Sequence, residues 1–143
     1  MDMGFRVKID GATTIELKEE NVISVKFRAD IPKDSNARST DLGSTVEITG
    51  KILTAVDGEP FDATKELGKW ALVPAENADC YRKAVIDVIA ASQVVRKYTY
   101  PNAFCVDYCE NYGDEAGVGT FTLIIKQKKD KMALTAVEGG YAV

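Results

Sequence analysis

The sequence predicts a mainly β domain of barrel or sandwich type that contains a single α-helix. Segments in which apolar and polar residues alternate recur along the chain, as they do in half-buried strands. Apolar residues at helical spacing occur in Asn77–Ala91, and a long alternating hairpin follows that segment at once. At 143 residues the chain is long enough for one domain and too short for two, so we expect residues 1–143 to form a single domain.

Composition excludes several classes of function. Eighteen basic and 22 acidic residues give a net charge of −4, and a mildly acidic chain lacks the basic surface that nucleic-acid binding requires. The first ten residues, MDMGFRVKID, carry charges where a signal peptide needs an apolar core, so no signal peptide is expected. No apolar run approaches the roughly 20 residues that span a bilayer, so we expect no direct membrane insertion.

The chain contains no histidine, which removes the usual general base near neutral pH and the commonest zinc ligand. Serine–histidine and cysteine–histidine mechanisms are therefore excluded. An enzyme with this sequence would have to use carboxylates, lysine or tyrosine, and no such constellation stands out. We expect no catalytic residues, no cofactor and no metal, and keep a carboxylate- or lysine-dependent enzyme only as an alternative.

The N-terminal part predicts two strands followed by a long loop. Phe5–Asp10 alternates and ends at a glycine, and Val22–Asp30 alternates over its whole length. The segment Pro32–Gly43 is polar, carries one proline and one glycine, and has no periodicity, so it is predicted to be a loop. Structureless loops of about a dozen residues are uncommon and are usually functional.

The next part predicts a strand and then an ambiguous segment. Ser44–Ala55 alternates, and Gly50 within it indicates a bend or bulge. Phe61–Val73 is compatible with a short helical turn at Ala63–Leu67 and a short strand through Trp70.

Asn77–Ala91 is predicted to be the helix. Asn77 is a plausible N-cap, and Asp79 would lie in the first turn, where negative charge is favourable. The predicted apolar stripe consists of Tyr81, Val85, Val88 and Ile89.

A long hairpin and a last strand complete the prediction. The arms are Val94–Asn111 and Val118–Lys128, and Pro101 indicates an edge or a bend in the first arm. A final strand is expected at Met132–Val137. Two groups are each expected to share one face: Phe104, Val106 and Tyr108 in the first arm, and Phe121, Leu123 and Ile125 in the second.

The three cysteines are predicted to be reduced and structural. Their odd number, in a chain of this size, is typical of a reducing cytosol. Cys105 and Cys109 share one face of a strand but lie about 13 Å apart along it. Without a severe bulge they can therefore neither form a disulfide with each other nor share a metal ion.

The lysines near the end of the hairpin form a basic run. The spacing places Lys126 and Lys128 on one face of the strand, and Lys129 and Lys131 follow. Lysines on an exposed edge discourage unwanted strand pairing. The run is interpreted as a solvated edge or as an interface with an acidic partner rather than as a nucleic-acid site.

The order of elements resembles the tube proteins of contractile injection machines. This family comprises the haemolysin-coregulated proteins of type VI secretion, phage tail-tube proteins and the inner tubes of extracellular contractile particles. The early strand–loop–strand unit is similar to Val22–Ala55 here, and RKYTYPNAFCVDY and GTFTLIIKQKK resemble the strands after the family's helix. The resemblance implies a two-sheet β-barrel with one flanking α-helix. The absence of histidine favours a divergent or phage-like tube.

The resemblance also implies a function and a contact site. It implies hexameric rings that stack into a bacterial tube, with sheath, baseplate and spike proteins as partners, assembled in the cytoplasm and then exported or released. The long loop would supply the ring-stacking contact through Asp34, Asn36, Arg38, Asp41 and Leu42. The alternative is a monomeric β-barrel or sandwich that binds a small ligand or peptide.

Overall fold

The computed structural model describes residues 3–31, 43–52, 63–114, 119–128 and 135–139. These ranges contain eight strands, one α-helix and a 3₁₀ turn at Ala78–Cys80. In chain order the elements are β1 (Met3–Asp10), β2 (Ile15–Leu17), β3 (Val22–Asp30), β4 (Gly43–Ile52), α1 (Ala63–Ala71), β5 (Arg82–Ala90), β6 (Gln93–Asn111), β7 (Gly119–Gln127) and β8 (Ala136–Gly139).

All strand pairs are antiparallel, and the long strand β6 belongs to two layers. Its first part, Gln93–Ala103, pairs with β5, and β8 pairs with the same part at Arg96–Thr99. Its second part, Phe104–Asn111, pairs with β7. The strand order is β2-β1-β5-β6-β7-β4-β3. The first layer therefore contains β2, β1, β5, β8 and the first part of β6, whereas the second layer contains the second part of β6, β7, β4 and β3.

The two layers pack face to face around one core. Phe27 of β3 stacks on Tyr98 of β6 with ring centroids 4.5 Å apart, although two strands separate them along the sheet. Ser44 of β4 is hydrogen-bonded to the Tyr100 hydroxyl of β6. The buried cluster draws apolar side chains from β1 to β7 and from α1. The predicted fold class, mainly β with one flanking helix, is confirmed.

The predicted helix Asn77–Ala91 is wrong, because this segment forms the 3₁₀ turn and then β5. Ala84 and Ile86 are fully buried and Val88 packs on the same core, which is the alternation of a strand. Ile89, the next residue after Val88, is also buried although it lies outside the core cluster, and two consecutive apolar residues imitate helical spacing. Asn77 is an N-cap as predicted, but the element that it caps is only the 3₁₀ turn. Its side chain accepts a hydrogen bond from the backbone N–H of Asp79 at 3.0 Å.

The α-helix lies earlier, at Ala63–Ala71, so the predicted strand through Trp70 is also wrong. The helix buries Ala63, Thr64, Leu67 and Trp70 against β2 and β6. The Trp70 indole N–H donates to the carbonyl of Cys80 at 3.0 Å, and the Tyr108 hydroxyl oxygen lies 3.3 Å from the carbonyl oxygen of Thr64. In the described residues this helix is too short to span a membrane.

The predicted hairpin is confirmed as β6 and β7, with one error of side-chain direction. Phe121, Leu123 and Ile125 are fully buried, as predicted. A bulge between Cys105 and Asp107 interrupts the alternation of β6 at Val106, which is 48% exposed. Because of this bulge, Phe104 and Tyr108 lie on opposite faces of β6.

Gly50 lies opposite a bulge and is tightly packed, but the bulged residue is Ile23 of β3 and not Gly50, where the sequence indicates a bend or bulge. The pairing of β3 with β4 shifts at Ile23, opposite Gly50. A Cβ atom at Gly50 would lie 2.3 Å from the carbonyl oxygen of Asn21 and 2.6 Å from the Phe121 ring. The predicted strands Ser44–Ala55 and Met132–Val137 lie partly outside the described residues. Within those residues the structure has β4 from Gly43 to Ile52 and β8 from Ala136 to Gly139.

Candidate assembly surfaces

The outward face of the second layer is polar and rich in threonine. Its cross-strand rows follow directly from the register of β3, β4, β7 and β6. One row joins Lys26, Glu47, Ile124 and Asp107, and the next joins Ser24, Thr49, Thr122 and Cys109. The same strands bury Val46, Ile48, Leu123 and Ile125 on their inward side. Alternation along the strands therefore gives the layer one polar, solvent-facing side and one apolar, buried side.

The second layer has two edges along which no described strand forms a backbone ladder, although β1 contacts β3 without pairing with it. β3 pairs with β4 on one side and ends the strand order. The second part of β6 pairs with β7, and the described strands β5 and β8 border the first part instead. Each edge carries a half-exposed apolar residue at a bulge, Ile23 at 49% and Val106 at 48%. Unpaired strand edges of this kind are templates for pairing with another chain.

The outward face of the first layer carries paired charges instead of threonines. Asp87 of β5 lies between Arg6 of β1 and Lys97 of β6, at nitrogen–oxygen distances of 3.7 and 3.9 Å. Lys8 and Lys83 stand exposed in the same groove, whose volume is about 410 Å³. The two layers therefore present chemically different surfaces to the outside.

The foot of the predicted contact loop is held by a charged cluster around Asp30. Its carboxylate accepts hydrogen bonds from Arg28 Nε at 2.9 Å and Thr45 Oγ1 at 2.5 Å, and Lys126 Nζ lies 3.9 Å away. Burial disfavours the charged carboxylate, but these hydrogen bonds and positive charges outweigh it and lower the pKa of Asp30 below its ordinary value. The two strands that carry the loop are thus tied together where the loop begins.

The predicted stacking residues Asp34, Asn36, Arg38, Asp41 and Leu42 lie outside the described residues. The structure describes the chain up to Ile31, which is 52% exposed, and again from Gly43. The assignment of these five residues to ring stacking therefore stays a prediction.

A groove that the sequence does not predict adjoins the foot of the loop. Its floor is the aromatic pair of Tyr81 and Phe104, whose ring centroids lie 6.0 Å apart in an edge-to-face arrangement. Lys126 and Lys128 line its side, and Lys128 Nζ lies 4.8 Å from the centre of the Tyr81 ring. The groove has a volume of about 430 Å³ and also touches Asp30, Gly43, Ser44 and Gln127. We call it the lysine–aromatic groove.

Buried Gln127 fixes the backbone beside this groove. Its side-chain oxygen accepts from the backbone N–H of Asn102 at 3.1 Å, and its side-chain amide donates to the carbonyl of Lys128 at 3.4 Å. The inward position of Gln127 places Lys126 and Lys128 on the same side of the strand, as their spacing predicts. This alternation was the signal in the sequence, but nothing local linked it to Tyr81.

The three cysteines are free thiols. Cys80 is buried, Cys105 half-buried and Cys109 exposed on the polar face of the second layer. Burial, with a smaller contribution from the Asp107 charge, raises the pKa of the Cys105 thiol to about 11. Within the described ranges, no three Cys, Asp or Glu side chains are grouped to hold a metal ion.

The chain shares its fold with proteins of contractile injection and type VI secretion systems. It matches Hcp1 from Flavobacterium johnsoniae with a TM-score of 0.58 and 19% identity over 96% of each chain. It matches a chain of the sixfold-symmetrised baseplate of the anti-feeding prophage with a TM-score of 0.58 and 12% identity, over 99% of this chain and 97% of that one.

The PVC sheath–tube complex, an extracellular contractile injection system in its extended state, contains a third similar chain. That match has a TM-score of 0.52 and 10% identity, over 96% of this chain and 89% of the other. This is the tube-protein fold. The resemblance noted from the sequence is therefore confirmed for the fold. No protein-family model matches the sequence, and a search of curated proteins finds no match either.

Proposed function

We propose that the chain is a structural subunit of the inner tube of a phage-tail-like contractile injection or secretion particle, and that it forms stacked hexameric rings. The observation that carries this proposal is the second layer, which combines a polar outward face with an open strand edge on each side. A subunit with two different open edges can join identical copies edge to edge, and such heterologous contacts close into rings.

The direction of the strands fits ring closure. The second layer has an even number of antiparallel strands, so β3 and the second part of β6 run in opposite directions. Rotation about an axis along the strands preserves their direction. It therefore brings β3 of one copy beside β6 of the next as an antiparallel pair, and the alternation continues around the ring.

The threonine-rich face would then line the lumen. The number six follows from the resemblance and agrees with the sixfold baseplate that contains a similar chain. Six copies of this four-stranded layer contain more strands than the roughly 16–18 at which β-barrels enclose an aqueous channel. A water-filled lumen requires polar side chains on the inner wall, which Thr49, Thr122 and their neighbours supply.

Ring stacking is assigned to the loop that leaves β3 and returns to β4. In this proposal Asp34, Asn36, Arg38, Asp41 and Leu42 contact the adjacent ring. Reversal of charge by Arg38→Glu should leave thermal unfolding of the subunit nearly unchanged, because exposed ion pairs contribute about 0–1 kcal/mol. The same change should shorten or abolish tubes, and high salt should weaken wild-type stacking through screening.

The remaining parts of the proposal follow from the tube role. The subunit has no enzymatic activity, and sheath, baseplate and spike proteins are its partners, as expected for a chain whose structural neighbours come from sheath–tube and baseplate assemblies. It assembles in the bacterial cytoplasm and leaves as part of a particle.

The experiment measures ring formation in variants of the two open edges. Ile23→Lys and Val106→Lys each place a charge at one edge, at residues about half exposed in the subunit, so the subunit itself should lose no more than about 0.5 kcal/mol of stability. Leu72→Lys is the matched control, because Leu72 is an apolar residue, 83% exposed, that lies on neither edge.

We expect rings for the wild type and the control, and a several-fold weaker assembly for both edge variants, by light scattering and negative-stain electron microscopy. A wild type that stays monomeric at millimolar concentration would contradict the tube role. It would favour the monomeric ligand-binding alternative, in which the lysine–aromatic groove would be the candidate ligand site.

A further inference from the structure

The lysine–aromatic groove has the chemistry of a site for an acidic and aromatic segment. Its two lysines supply positive charge, and the rings of Tyr81 and Phe104 supply an apolar floor that is still partly exposed. The side chain of Lys126 is 41% exposed, and its nitrogen lies 3.9 Å from the carboxylate of Asp30, a long distance for an ion pair. Positive charge beside accessible aromatic rings complements carboxylates that are accompanied by an aromatic side chain.

The chain itself carries such a segment. Glu110–Asp114 is exposed at every residue, contains two carboxylates, and has no basic residue. Tyr112 at its centre is 70% exposed. Both oxygens of the Glu110 carboxylate accept tyrosine hydroxyls, from Tyr108 at 2.5 Å and from Tyr112 at 2.7 Å. These bonds hold the acidic and aromatic groups together; we call this segment the acidic tip.

The groove and the acidic tip lie at opposite ends of one hairpin. Phe104 of the groove pairs with Lys126, and Asn111 of the tip pairs with Thr120, at the far end of the same two strands. Their partners Lys126 and Thr120 are six steps apart on β7, so the two ends are separated by about 20 Å at roughly 3.3 Å per residue. A subunit therefore cannot place its own tip in its own groove, but a copy stacked along the strand direction can.

We propose that the lysine–aromatic groove binds the acidic tip of a second copy of this chain in the adjacent ring. The contact is heterologous, with a different surface at each end, so it repeats without closing and extends a tube of stacked rings. This inference rests on the proposed function, because it names the surfaces through which the proposed rings stack. The groove adjoins the foot of the Pro32–Gly43 loop, so both would contact the same neighbouring ring.

The test reverses the charge of each surface separately. The groove variant carries Lys126→Glu and Lys128→Glu, and the tip variant carries Glu110→Lys and Asp114→Lys. Like charges facing each other across an interface weaken binding strongly, so either variant alone should form rings but tubes shorter by about tenfold or more. The control variant, Lys8→Glu with Lys83→Glu, makes the same change of charge on the outward face of the first layer and should form tubes of wild-type length.

The decisive measurement is the mixture of the two variants. The groove of each variant then has the charge opposite to that of the other variant's tip. Rings of the two variants should therefore stack in alternation, and electron microscopy and sedimentation should show that long tubes are recovered. A single chain with all four substitutions should also form tubes, and low salt should lengthen them.

The outcomes separate this inference from the proposed function. If the wild type forms no rings, the proposed function fails and this contact fails with it. If rings form but either variant alone makes tubes of normal length, or if neither the mixture nor the fourfold variant recovers tubes, the groove does not bind the tip. Circular dichroism and ring size of each variant establish that the loss concerns stacking and not folding.

Discussion

The two parts of β6 have different surroundings although they belong to one strand. The first part is bordered by β5 and β8, and it buries Tyr98, Tyr100 and Ala103. In the second part, Phe104–Asn111, no residue is fully buried, and β7 is its neighbour among the described strands. One strand therefore holds the fold together at its start and leaves an edge without a described strand partner at its end.

The largest expected effect is the loss of Tyr100 from the first part. Tyr100→Ala removes a fully buried ring and its hydrogen bond to Ser44, so we expect a loss of about 3–5 kcal/mol in the free energy of unfolding. Tyr112→Ala, in the exposed acidic tip, should change it by no more than about 0.5 kcal/mol. Urea denaturation of both variants checks this, and equal losses would contradict the contrast between the buried first part of β6 and the exposed tip that follows its second part.

Alkaline pH should destabilise the subunit through the same tyrosine. Burial raises the pKa of Tyr100 to about 12, with the Ser44 hydrogen bond opposing the shift and Tyr98 and Asp30 adding to it. Since the folded pKa lies above the unfolded value, the stabilisation is complete below pH 10 and disappears as pH rises towards 12. We expect a loss of about 2–3 kcal/mol over that interval.

Tyr100→Phe provides the control for this alkaline effect. The variant loses the ionisable hydroxyl while the ring stays in place, so its stability should fall less steeply between pH 10 and 12. Parallel denaturation curves at several pH values make the comparison. Identical slopes for wild type and variant would assign the effect to other groups.

A smaller effect is expected from Gly50, which tests how tightly the second layer is packed. Gly50→Ala brings a Cβ atom against the Asn21 carbonyl and the Phe121 ring, and overpacking of this kind costs about 1–3 kcal/mol. Gly113→Ala is the matched control, because, its two chain neighbours aside, no atom of the described residues lies within 4 Å of a Cβ atom at that position. If Gly50→Ala left the free energy of unfolding unchanged, the backbone and the Phe121 ring around Gly50 would have to shift without cost, which would contradict tight packing of the second layer.

The smallest expected effect concerns the turn that begins the first part of β6. Ala91 and Ser92 join β5 to β6 with φ angles of 52° and 63°, a region that non-glycine residues adopt at a cost. Asn and Gly are the residues that such two-residue hairpin turns favour. Ala91→Asn with Ser92→Gly should therefore raise the free energy of unfolding by about 1 kcal/mol, and a thermal melt with no increase would contradict it.

The sequence predicts the strands with regular alternation and misses the elements in which local pattern is ambiguous. β6 and β7 were predictable because long alternating segments flank a glycine-rich turn. β5 was not, since Val88 packs on the core and its neighbour Ile89 is buried as well, which gives a strand the apolar spacing of a helix. The helix α1 is only nine residues long and buries four of them, so its pattern is too short to stand out.

The candidate surfaces depend on strand order, which no local pattern contains. The position of β3 at the end of the sheet follows from β4 pairing with β7, a contact between residues more than 60 positions apart. The lysine–aromatic groove likewise joins Tyr81 to Phe104 and Lys128 across three separate elements. Alternation predicted that Lys126 and Lys128 share a face, but only the fold supplies the aromatic floor beside them.

In the proposed ring, the even number of strands in the second layer would restrict how the subunit could vary in evolution. Adding or deleting one strand would make β3 and β6 run in the same direction, and the seam between copies would no longer match the rest of the wall. Only whole hairpins, which add or remove two strands, could be gained or lost while β3 and β6 of neighbouring copies still pair antiparallel. The bore of a tube built from this layer would therefore change in discrete steps, either by a hairpin in every subunit or by a change in the number of subunits.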